Sequence, residues 1–423
     1  MLKSSSAQRL LIALVEVLGL SVWFSATAVL PSLRSEWNIS STGAVWLTAS
    51  VQIGFVCGAV ASAGLNLADR FVPQRLLAAS ALGAATCTAA PALIDAGFGA
   101  AVAMRFLTGM LLAGVYPVGM KLTASWAASG NRGRTFGVLL AALTIGSALP
   151  HFIGGLGSLP WRGVMLTAAT LAAAGAVIAL AVVRTGPHLD IRPVSMHPRH
   201  ALAIFVERGP RMVMLGYLGH MWELYALWTW LAMFIVAGRH ARGEASAVSA
   251  ELLTFVAIGI AGAVGCLVGG WAADRFGRPP IAGVALVVSG WCCLVSPLLF
   301  TAPTAILAVF VIVWGAAVIA DSGVFSTALS ETTDPRYVGT ALTAQTAAGF
   351  LLTVVTIQTV PLVADLIGWR YAFLLLAPGP VLGAAAMSAL IAHQHHQEEN
   401  DDHPNPPRSA LCRSDGPALP HRQ

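Results

Sequence analysis

The sequence predicts an all-α polytopic membrane protein whose twelve spans form two six-helix halves. Three observations support this fold class. Charged residues make up only 10% of the chain against 57% hydrophobic residues, apolar stretches recur at spanning length, and one charged motif occurs twice. Soluble globular proteins carry about 25% charged residues, so most of this surface must face lipid.

Twelve apolar stretches are long enough to cross a bilayer, which requires about 20 residues for a hydrocarbon layer about 30 Å thick. They lie at about residues 10–30, 43–65, 76–95, 98–120, 136–158, 163–183, 212–236, 251–271, 281–300, 304–327, 338–361 and 371–392. The sequence therefore predicts an N-terminal six-helix bundle at 1–183, a Pro- and His-containing cytoplasmic linker at 184–211, a C-terminal six-helix bundle at 212–392 and a disordered cytoplasmic tail at 393–423.

Lys and Arg residues are distributed unequally between the two sides of the predicted bundle. Eighteen of the 24 lie on the side of the N-terminus, and five lie on the other side. Cytoplasmic loops retain positive charge, so we expect a multi-pass protein of the plasma membrane, the inner membrane in a bacterium, with both termini in the cytoplasm. This orientation explains the net charge of +5, and no nucleic-acid partner is expected.

The N-terminal stretch is also compatible with a cleaved secretory signal ending at Ala26-Thr-Ala28. Its apolar run is longer than the usual signal core, and its removal would leave an odd number of spans. Five of the six cysteines lie within spans without zinc-like spacing, which favours buried small apolar residues. The tail histidines suit a solvated end better than a metal site. No metal or cofactor is expected.

The charged motif relates the two halves. Gly64-Leu-Asn-Leu-Ala-Asp-Arg-Phe71 returns as Gly269-Gly-Trp-Ala-Ala-Asp-Arg-Phe276 at the same relative position. Two further pairs follow in the same order, Trp161-Arg162 with Trp369-Arg370, and Arg134-x-x-Gly137 with Arg336-x-x-Gly339. Because each half has an even number of spans, the copies share one orientation and are parallel repeats around an axis along the membrane normal.

These motifs resemble those of the major facilitator superfamily, and the resemblance extends to the tail. The family's loop signature G-x-x-x-x-D-R-x-G-R-R is matched at Gly269, Asp274, Arg275, Gly277 and Arg278, whereas the first copy has Val72 and Pro73 in place of Gly-Arg. Two weaker similarities are Arg105-x-x-x-Gly109 and the glycine-proline stretch 146–155. The resemblance implies the fold of that superfamily and alternating-access transport.

The charged hairpins are candidate gating elements. An Asp at a helix start meets the positive end of the helix dipole, and a neighbouring Arg can pair with another helix end. A topology signal without a gating role is the alternative. The gating candidates are Asp69, Arg70, Asp274, Arg275, Arg278, Arg134, Asp321 and Arg336. For Asp321, near the end of span 10, a latch with Arg134 or Arg336 competes with a role in transport.

Few ionisable residues lie at membrane depth, where a charge costs about 2.5–3.5 kcal/mol on insertion scales. Glu223 in span 7 is the deepest carboxylate, and Glu16 lies in span 1. The first spans of each half line the central cavity in this superfamily, so the resemblance implies that these two carboxylates face one another. His220 lies three residues before Glu223 on the same helix face. The pair suits proton binding, or it fastens span 7 to a neighbour.

Arg105 would neutralise a carboxylate or hold an anionic substrate, with structural pairing to Glu16 as the alternative. Aromatic and polar residues complete the candidate substrate and proton-coupling set. They are Tyr217, Tyr225, Trp23, Gln52, Tyr116, His151 and Gln345.

The predicted function is secondary active transport of a small solute by alternating access, driven by protons or, less favoured, by sodium. A nitrate clamp is disfavoured because only Arg105 lies deep, but an organic anion or monocarboxylate and a drug-like efflux substrate both remain open. A non-transporting receptor on the same scaffold is a further alternative. No enzyme is expected, since the chain has no H-E-x-x-H or G-x-S-x-G motif. A monomer is expected.

Overall fold

The computed structural model describes residues 4–94, 97–126, 132–157, 159–188, 203–244, 249–334 and 337–402, and within these ranges the chain is helical, with no strand. Spans 1 to 6 lie at Ser5–Leu20, Ser41–Gly64, Pro73–Leu93, Gly97–Leu112 with Tyr116–Ser125, Arg132–Gly155 and Trp161–Ala181. Spans 7 to 11 lie at Arg208–Arg242, Ala250–Thr254 with Phe255–Ala261 and Gly262–Phe276, Arg278–Leu299, Thr304–Ala320 with Ser322–Thr332, and Val338–Ile367. Span 12 comprises Trp369–Ala372, Phe373–Leu376 and Pro378–Asp402.

Eleven of these segments are long and apolar enough to cross a membrane within the described ranges. The first predicted span differs, because its α-helix has 16 residues and ends at Leu20. Turns follow at 21–26, and a 3-10 helix covers Thr27–Val29. The hydroxyl groups of Ser21 and Ser25 donate to backbone carbonyls three residues earlier, and such bonds compete with regular helix.

One face of the molecule carries both ends of the chain's described part and the charged hairpins, and we call it the terminal face. The start of the linker is bound there, since the Arg184 amide donates to Gln8 Oε1 at 2.8 Å and the Gly186 amide donates to Ser125 Oγ at 2.9 Å. Span 12 continues as helix to Asp402. The predicted disordered tail is therefore helical over 393–402, and residues 403–423 lie outside the described part.

Glycines bring neighbouring spans into backbone contact in both halves. A Cβ at Gly58 of span 2 would lie 2.2 Å from the carbonyl oxygen of Met110 in span 4. A Cβ at Gly269 of span 8 would lie 2.1 Å from the carbonyl oxygen of Ala320 in span 10. Only a glycine permits such an approach. Gly64, the counterpart of Gly269 in the duplicated motif, has no heavy atom within 4 Å of a Cβ position.

Spans 4 and 10 are each interrupted partway across. Span 4 breaks at residues 113–115, and span 10 breaks at Asp321. Both are the fourth span of their half. The two halves meet where span 2 packs on span 11 and where span 5 packs on span 8. In parallel-repeat transporters, discontinuous helices mark the region where ligands and ions bind.

Candidate functional site

A chamber of about 480 Å³ lies between the two halves near the terminal face. Spans 2 and 4 form one wall, and spans 10 and 11 form the other. Its polar and bulky lining residues are Phe55, Ser62, Asn66, Tyr116, Met120, Lys121, Ser326, Leu342, Thr343 and Thr346. Among the described residues that line the chamber, Lys121 has the one charged side chain, and its Nζ donates to the carbonyl oxygen of Ala68 at 2.8 Å.

Six rings in mutual contact, some stacked and some tilted, close the chamber on the side away from the terminal face, and we call them the aromatic plug. They are Trp23, Phe24, Phe55, Tyr225, Trp228 and Phe350, all buried. Phe24 and Trp228 stack with ring centroids 5.1 Å apart and planes 9° apart. Phe55 and Phe350 have centroids 4.7 Å apart. The plug joins spans 1 and 2 of one half to spans 7 and 11 of the other.

A titratable pair joins the halves closer to the opposite face. His151 of span 5 is buried, and its Nδ1 is in close contact with a carboxylate oxygen of Glu251 at the start of span 8. The Phe152 and Phe255 rings lie 5.1 Å apart beside this pair. A Cβ at Gly155 would lie 2.8 Å from the Leu252 amide nitrogen. The structure is therefore closed on this face and contains its chamber near the terminal face.

Glu16 is fully buried in the first half. A Cβ at Gly119 of span 4 would lie 1.7 Å from Oε1 of Glu16, so the carboxyl group packs directly against the backbone of span 4 at this glycine. Neither oxygen has a hydrogen-bond partner among the described residues. Tyr116, which lines the chamber, interacts electrostatically with Glu16. A buried carboxyl group without protein partners requires a proton, a cation or water.

Arg105 is buried and bonded to the interrupted part of span 1. Its guanidinium donates to the carbonyl oxygen of Val22 at 2.9 Å and of Leu47 at 3.3 Å, and it also bonds the Trp23 carbonyl. The Ser25 hydroxyl, at 3.2 Å, is a further partner. Most of its hydrogen bonds therefore go to the break of span 1. Neither Glu16 nor the chamber lining is among its partners.

Glu223 is also fully buried, and its partners lie within the second half. The Trp314 indole donates to Oε1 at 2.6 Å, and the Cys293 thiol donates to the same oxygen at 3.3 Å. Glu16 and Glu223 thus each point into their own half, and the predicted arrangement across the central cavity is wrong. The reason is helix rotation, since Glu223 faces spans 9 and 10 and not span 1.

His220 binds a partner other than its sequence neighbour Glu223. Its Nδ1 lies 2.8 Å from Oδ1 of Asp321, with both side chains 2% exposed. The contact is close but is not aligned as a hydrogen bond. Nε2 of His220 lies 3.3 Å from the Ser322 hydroxyl. Asp321 therefore meets span 7, whereas the sequence suggested a latch with Arg134 or Arg336.

The remaining polar candidates lie in the interior. The amide nitrogen and oxygen of Gln52 and the amide nitrogen of Gln345 have no hydrogen-bond partner in the described part of the chain. Tyr217 packs its ring against Gly349, with Phe325 6.1 Å away between centroids. Trp23 and Tyr225 belong to the aromatic plug, and Tyr116 lines the chamber.

The second hairpin forms an ionic cluster at the terminal face. Arg278 lies 3.1 Å from Asp274 and 2.7 Å from Glu331 of span 10, all within the second half. Arg275 lies over the Phe276 ring at 5.6 Å. Arg70 is exposed in the first hairpin. The side chains of Asp69 and Arg134, and the whole of Arg336, lie outside the described part, so their gating roles remain predictions.

The repeated Trp-Arg pairs both anchor helix starts on the face opposite the terminal face. Arg162 forms an ion pair with Glu36 at 2.7 Å, and the Trp161 indole also bonds Glu36. The Trp161 bond, followed by Arg162, lowers the pKa of Glu36 from its ordinary value of 4.5. Arg370 instead donates to the carbonyl oxygen of Pro297 at 3.0 Å.

Several functional candidates were missed by sequence reasoning. Lys121 counted only as a cytoplasmic charge, and Glu251, the first residue of the predicted span 251–271, was not singled out. Phe55 and Phe350 carry no polar signal. One signal was available for Lys121, because it lies one turn beyond the Pro117 that restarts span 4, and a restarted helix marks a ligand region.

Two parallel six-helix halves around a chamber closed on one face define a multi-pass membrane transport protein. The sequence profile of the Major Facilitator Superfamily matches residues 12–357 and 253–415. The chain belongs to the major facilitator superfamily, as its motifs indicated.

Two curated transporters show partial similarity. The chain is 31% identical over 169 residues to the niacin transporter of Acinetobacter baylyi, covering 34% of this chain and 37% of that protein. It is 23% identical over 298 residues to the gallate transporter of Pseudomonas putida, covering 62% and 64%. The chain thus spans less than two thirds of the length of either relative in these matches.

Solved structures of transporters share the fold. The human organic anion transporter MFSD10 superposes with a TM-score of 0.67 at 17% identity, covering 90% of this chain and 99% of that one. The xylose transporter XylE from E. coli, in a partially occluded inward-open conformation, superposes with a TM-score of 0.70 at 16% identity, covering 91% and 97%.

Proposed function

We propose that the protein is a proton symporter for a small aromatic carboxylate. The observation that carries this proposal is the chamber between the halves. The aromatic plug closes it on one side, and its described lining contains one basic group, Lys121. Its volume of about 480 Å³ falls within the ~300–1,000 Å³ of ordinary small-molecule sites.

The chamber chemistry suits an anion that carries a ring. Phe55 belongs to both the aromatic plug and the chamber lining, so an aromatic solute in the chamber can stack against the plug. The Lys121 ammonium supplies the charge for a carboxylate, and no acidic side chain appears in the described lining to favour a cation. Arg105 is engaged by backbone carbonyls, which leaves a nitrate clamp without support.

The partial relatives support the same substrate class. Niacin and gallate, the solutes in the names of the two similar transporters, are both aromatic carboxylates. A ring and a carboxyl group are what these two molecules share. We therefore extend that shared chemistry, and neither individual molecule, to this chain.

Glu16 is the proposed proton carrier. It lies behind the part of span 4 whose other residues, Tyr116 and Met120, line the chamber. A solute that shifts the restarted helix of span 4 also changes the surroundings of the unpartnered carboxyl group. Glu223 is a weaker carrier, because two donors already hold its Oε1. The charge asymmetry favours a cytoplasmic position for the terminal face, and with that orientation the chamber faces inward.

Uptake into proteoliposomes tests the proposal. With an imposed pH gradient, radiolabelled nicotinate or gallate should accumulate, and each should acidify the compartment it enters. Glu16→Gln should lower accumulation driven by the gradient while retaining exchange of labelled for unlabelled solute. Exchange needs no net proton movement, so it reports intact solute binding.

Lys121 provides the matched test of substrate charge. Lys121→Met should weaken binding of the carboxylate at least ten-fold, and Lys121→Arg should retain most of it. If neither acid is transported by the wild-type protein, the substrate class is wrong. If Glu16→Gln accumulates solute to the same level as the wild-type protein in the same pH gradient, Glu16 is not a proton carrier.

A further inference from the structure

The second half contains a titratable pair at a helix break. Asp321 is the residue between the two helices of span 10, and its Oδ1 lies 2.8 Å from Nδ1 of His220 in span 7. The arrangement repeats that of the first half, where Glu16 of span 1 lies against the restarted helix of span 4. In each half, therefore, a titratable side chain of the first span lies against the interrupted fourth span.

A crevice of about 30 Å³ runs beside this break from the terminal face. Asp274 and Arg278 line one part of it, and Cys266, Ala320 and Gly323 line another. Ala320 directly precedes Asp321 in the sequence, and Cys266 interacts with Asp321 electrostatically. A site needs roughly 10–15 Å³ of probe-occupied volume to hold one water molecule, so the crevice has room for water at Ala320, one residue before Asp321.

The crevice is distinct from the chamber. Spans 5, 8 and 10 and the start of span 9 line it, whereas spans 2, 4, 10 and 11 line the chamber, and the two share no lining residue. A proton that enters by the crevice does not cross the solute path.

The described groups that face the pair are few. Span 7 itself contributes Tyr217 and Glu223, one turn to either side of His220, and Glu223 interacts electrostatically with Asp321. Span 8 contributes Cys266, and span 10 contributes the Ser322 hydroxyl and the Phe325 ring. No Lys or Arg side chain is recorded in contact with His220 or Asp321 in the described part. No Lys or Arg side chain of the described part therefore competes with His220 for Asp321.

We propose that the His220–Asp321 pair is a second proton site, filled from the terminal face through the crevice, so that each cycle moves two protons with one carboxylate. This inference rests on the proposed function. The pair closes across spans 7 and 10 when it holds a His⁺–Asp⁻ contact and separates when the break of span 10 moves, which releases the proton.

The number of protons sets the charge that crosses the membrane. One carboxylate with one proton carries no net charge, whereas one carboxylate with two protons carries a charge of +1. An elementary charge gains ~2.3 kcal/mol per 100 mV, which corresponds to about fifty-fold in accumulation. A second proton site therefore makes uptake sensitive to membrane potential.

The test is accumulation of radiolabelled nicotinate or gallate in proteoliposomes of the full chain. A potassium diffusion potential, negative inside, is imposed with valinomycin at equal pH on both sides. The wild-type protein should accumulate solute severalfold to fifty-fold above the control without potential. Asp321→Asn and His220→Gln should lose that stimulation while they retain accumulation driven by a pH gradient and retain exchange.

Gly270→Leu provides a variant that leaves the pair intact. Gly270 lines the crevice, and a Cβ there meets no heavy atom within 4 Å, so a leucine side chain adds bulk to the crevice wall without a backbone clash. This variant should lower the initial rate of potential-driven uptake and leave exchange unchanged. An unchanged rate would contradict the proposed route.

The outcomes separate the two proposals. If neither acid moves under any gradient, the proposed function fails. If the wild-type protein accumulates solute with a pH gradient but ignores the potential, the second proton site fails and the proposed function stands. If Asp321→Asn loses exchange as well and melts at a lower temperature, the pair is a structural brace and the inference is overturned.

Discussion

Arg105 offers a decisive test of structural against substrate-binding roles. Its guanidinium donates to the carbonyl oxygens of Val22 and Trp23, where span 1 is interrupted, and to that of Leu47 in span 2. A lysine ammonium in this place reaches one of these positions and leaves two buried carbonyls without a donor. An unpaired buried polar group costs about 1–3 kcal/mol, so Arg105→Lys should destabilise the protein by about 2–6 kcal/mol although the charge is retained.

The assay compares thermal unfolding and ligand binding for two variants. Arg105→Lys should melt at a clearly lower temperature while the folded fraction binds nicotinate or gallate with near wild-type affinity. Lys121→Met should do the reverse, because its ammonium lies in the chamber wall, where it donates to the Ala68 carbonyl. If Arg105→Lys melts like the wild type but loses affinity, Arg105 contacts the solute and the chamber has been assigned wrongly.

Three further predictions follow from contacts described above. Gly269→Ala should lower the melting temperature and expression, because its Cβ would lie 2.1 Å from the Ala320 carbonyl oxygen, while the matched Gly64→Ala should not. His151→Gln or Glu251→Gln should increase the population of molecules open on the face opposite the terminal face about ten- to hundred-fold, since a hydrogen bond to a charged group contributes about 1.5–3 kcal/mol. Distances between spin labels across that face would measure this population, and unchanged distances would count against a gating role. The lowered pKa of Glu36 means that its stabilising contribution is complete above its ordinary value of 4.5 and is lost as the pH falls through the lower folded value. Melting temperatures of Glu36→Gln should therefore depend less on pH in that range than those of the wild type, and parallel curves would exclude the effect.

Much of the fold could be predicted from the sequence, because span length and charge asymmetry depend on composition alone. The interruption of span 1 could not. Residues 10–30 are mostly apolar and contain no proline, and the break is hydrogen-bonded by Arg105, which reaches it from span 4. Likewise the helical part of the predicted tail continues span 12 beyond its apolar stretch, where composition alone suggested disorder.

The candidate site was predictable by residue type but not by pairing. His220 and Glu223 were recognised as buried titratable groups, and both are buried. Their spacing placed them on one helix face, but one face can contact more than one neighbouring group. His220 contacts Asp321, and Glu223 accepts a hydrogen bond from Trp314. Which neighbour each side chain meets depends on the rotation of span 7. A single sequence does not encode that rotation in any local pattern.

The aromatic plug makes this protein its own optical reporter. Trp23 and Trp228 are two of the twelve tryptophans in the chain. Both lie in the contact between the two halves that has to open during the transport cycle. The other ten lie outside the plug. Changes in tryptophan fluorescence during transport should therefore come mainly from this pair, and replacing both residues with phenylalanine should remove these changes. The rate of opening can then be measured without an attached dye.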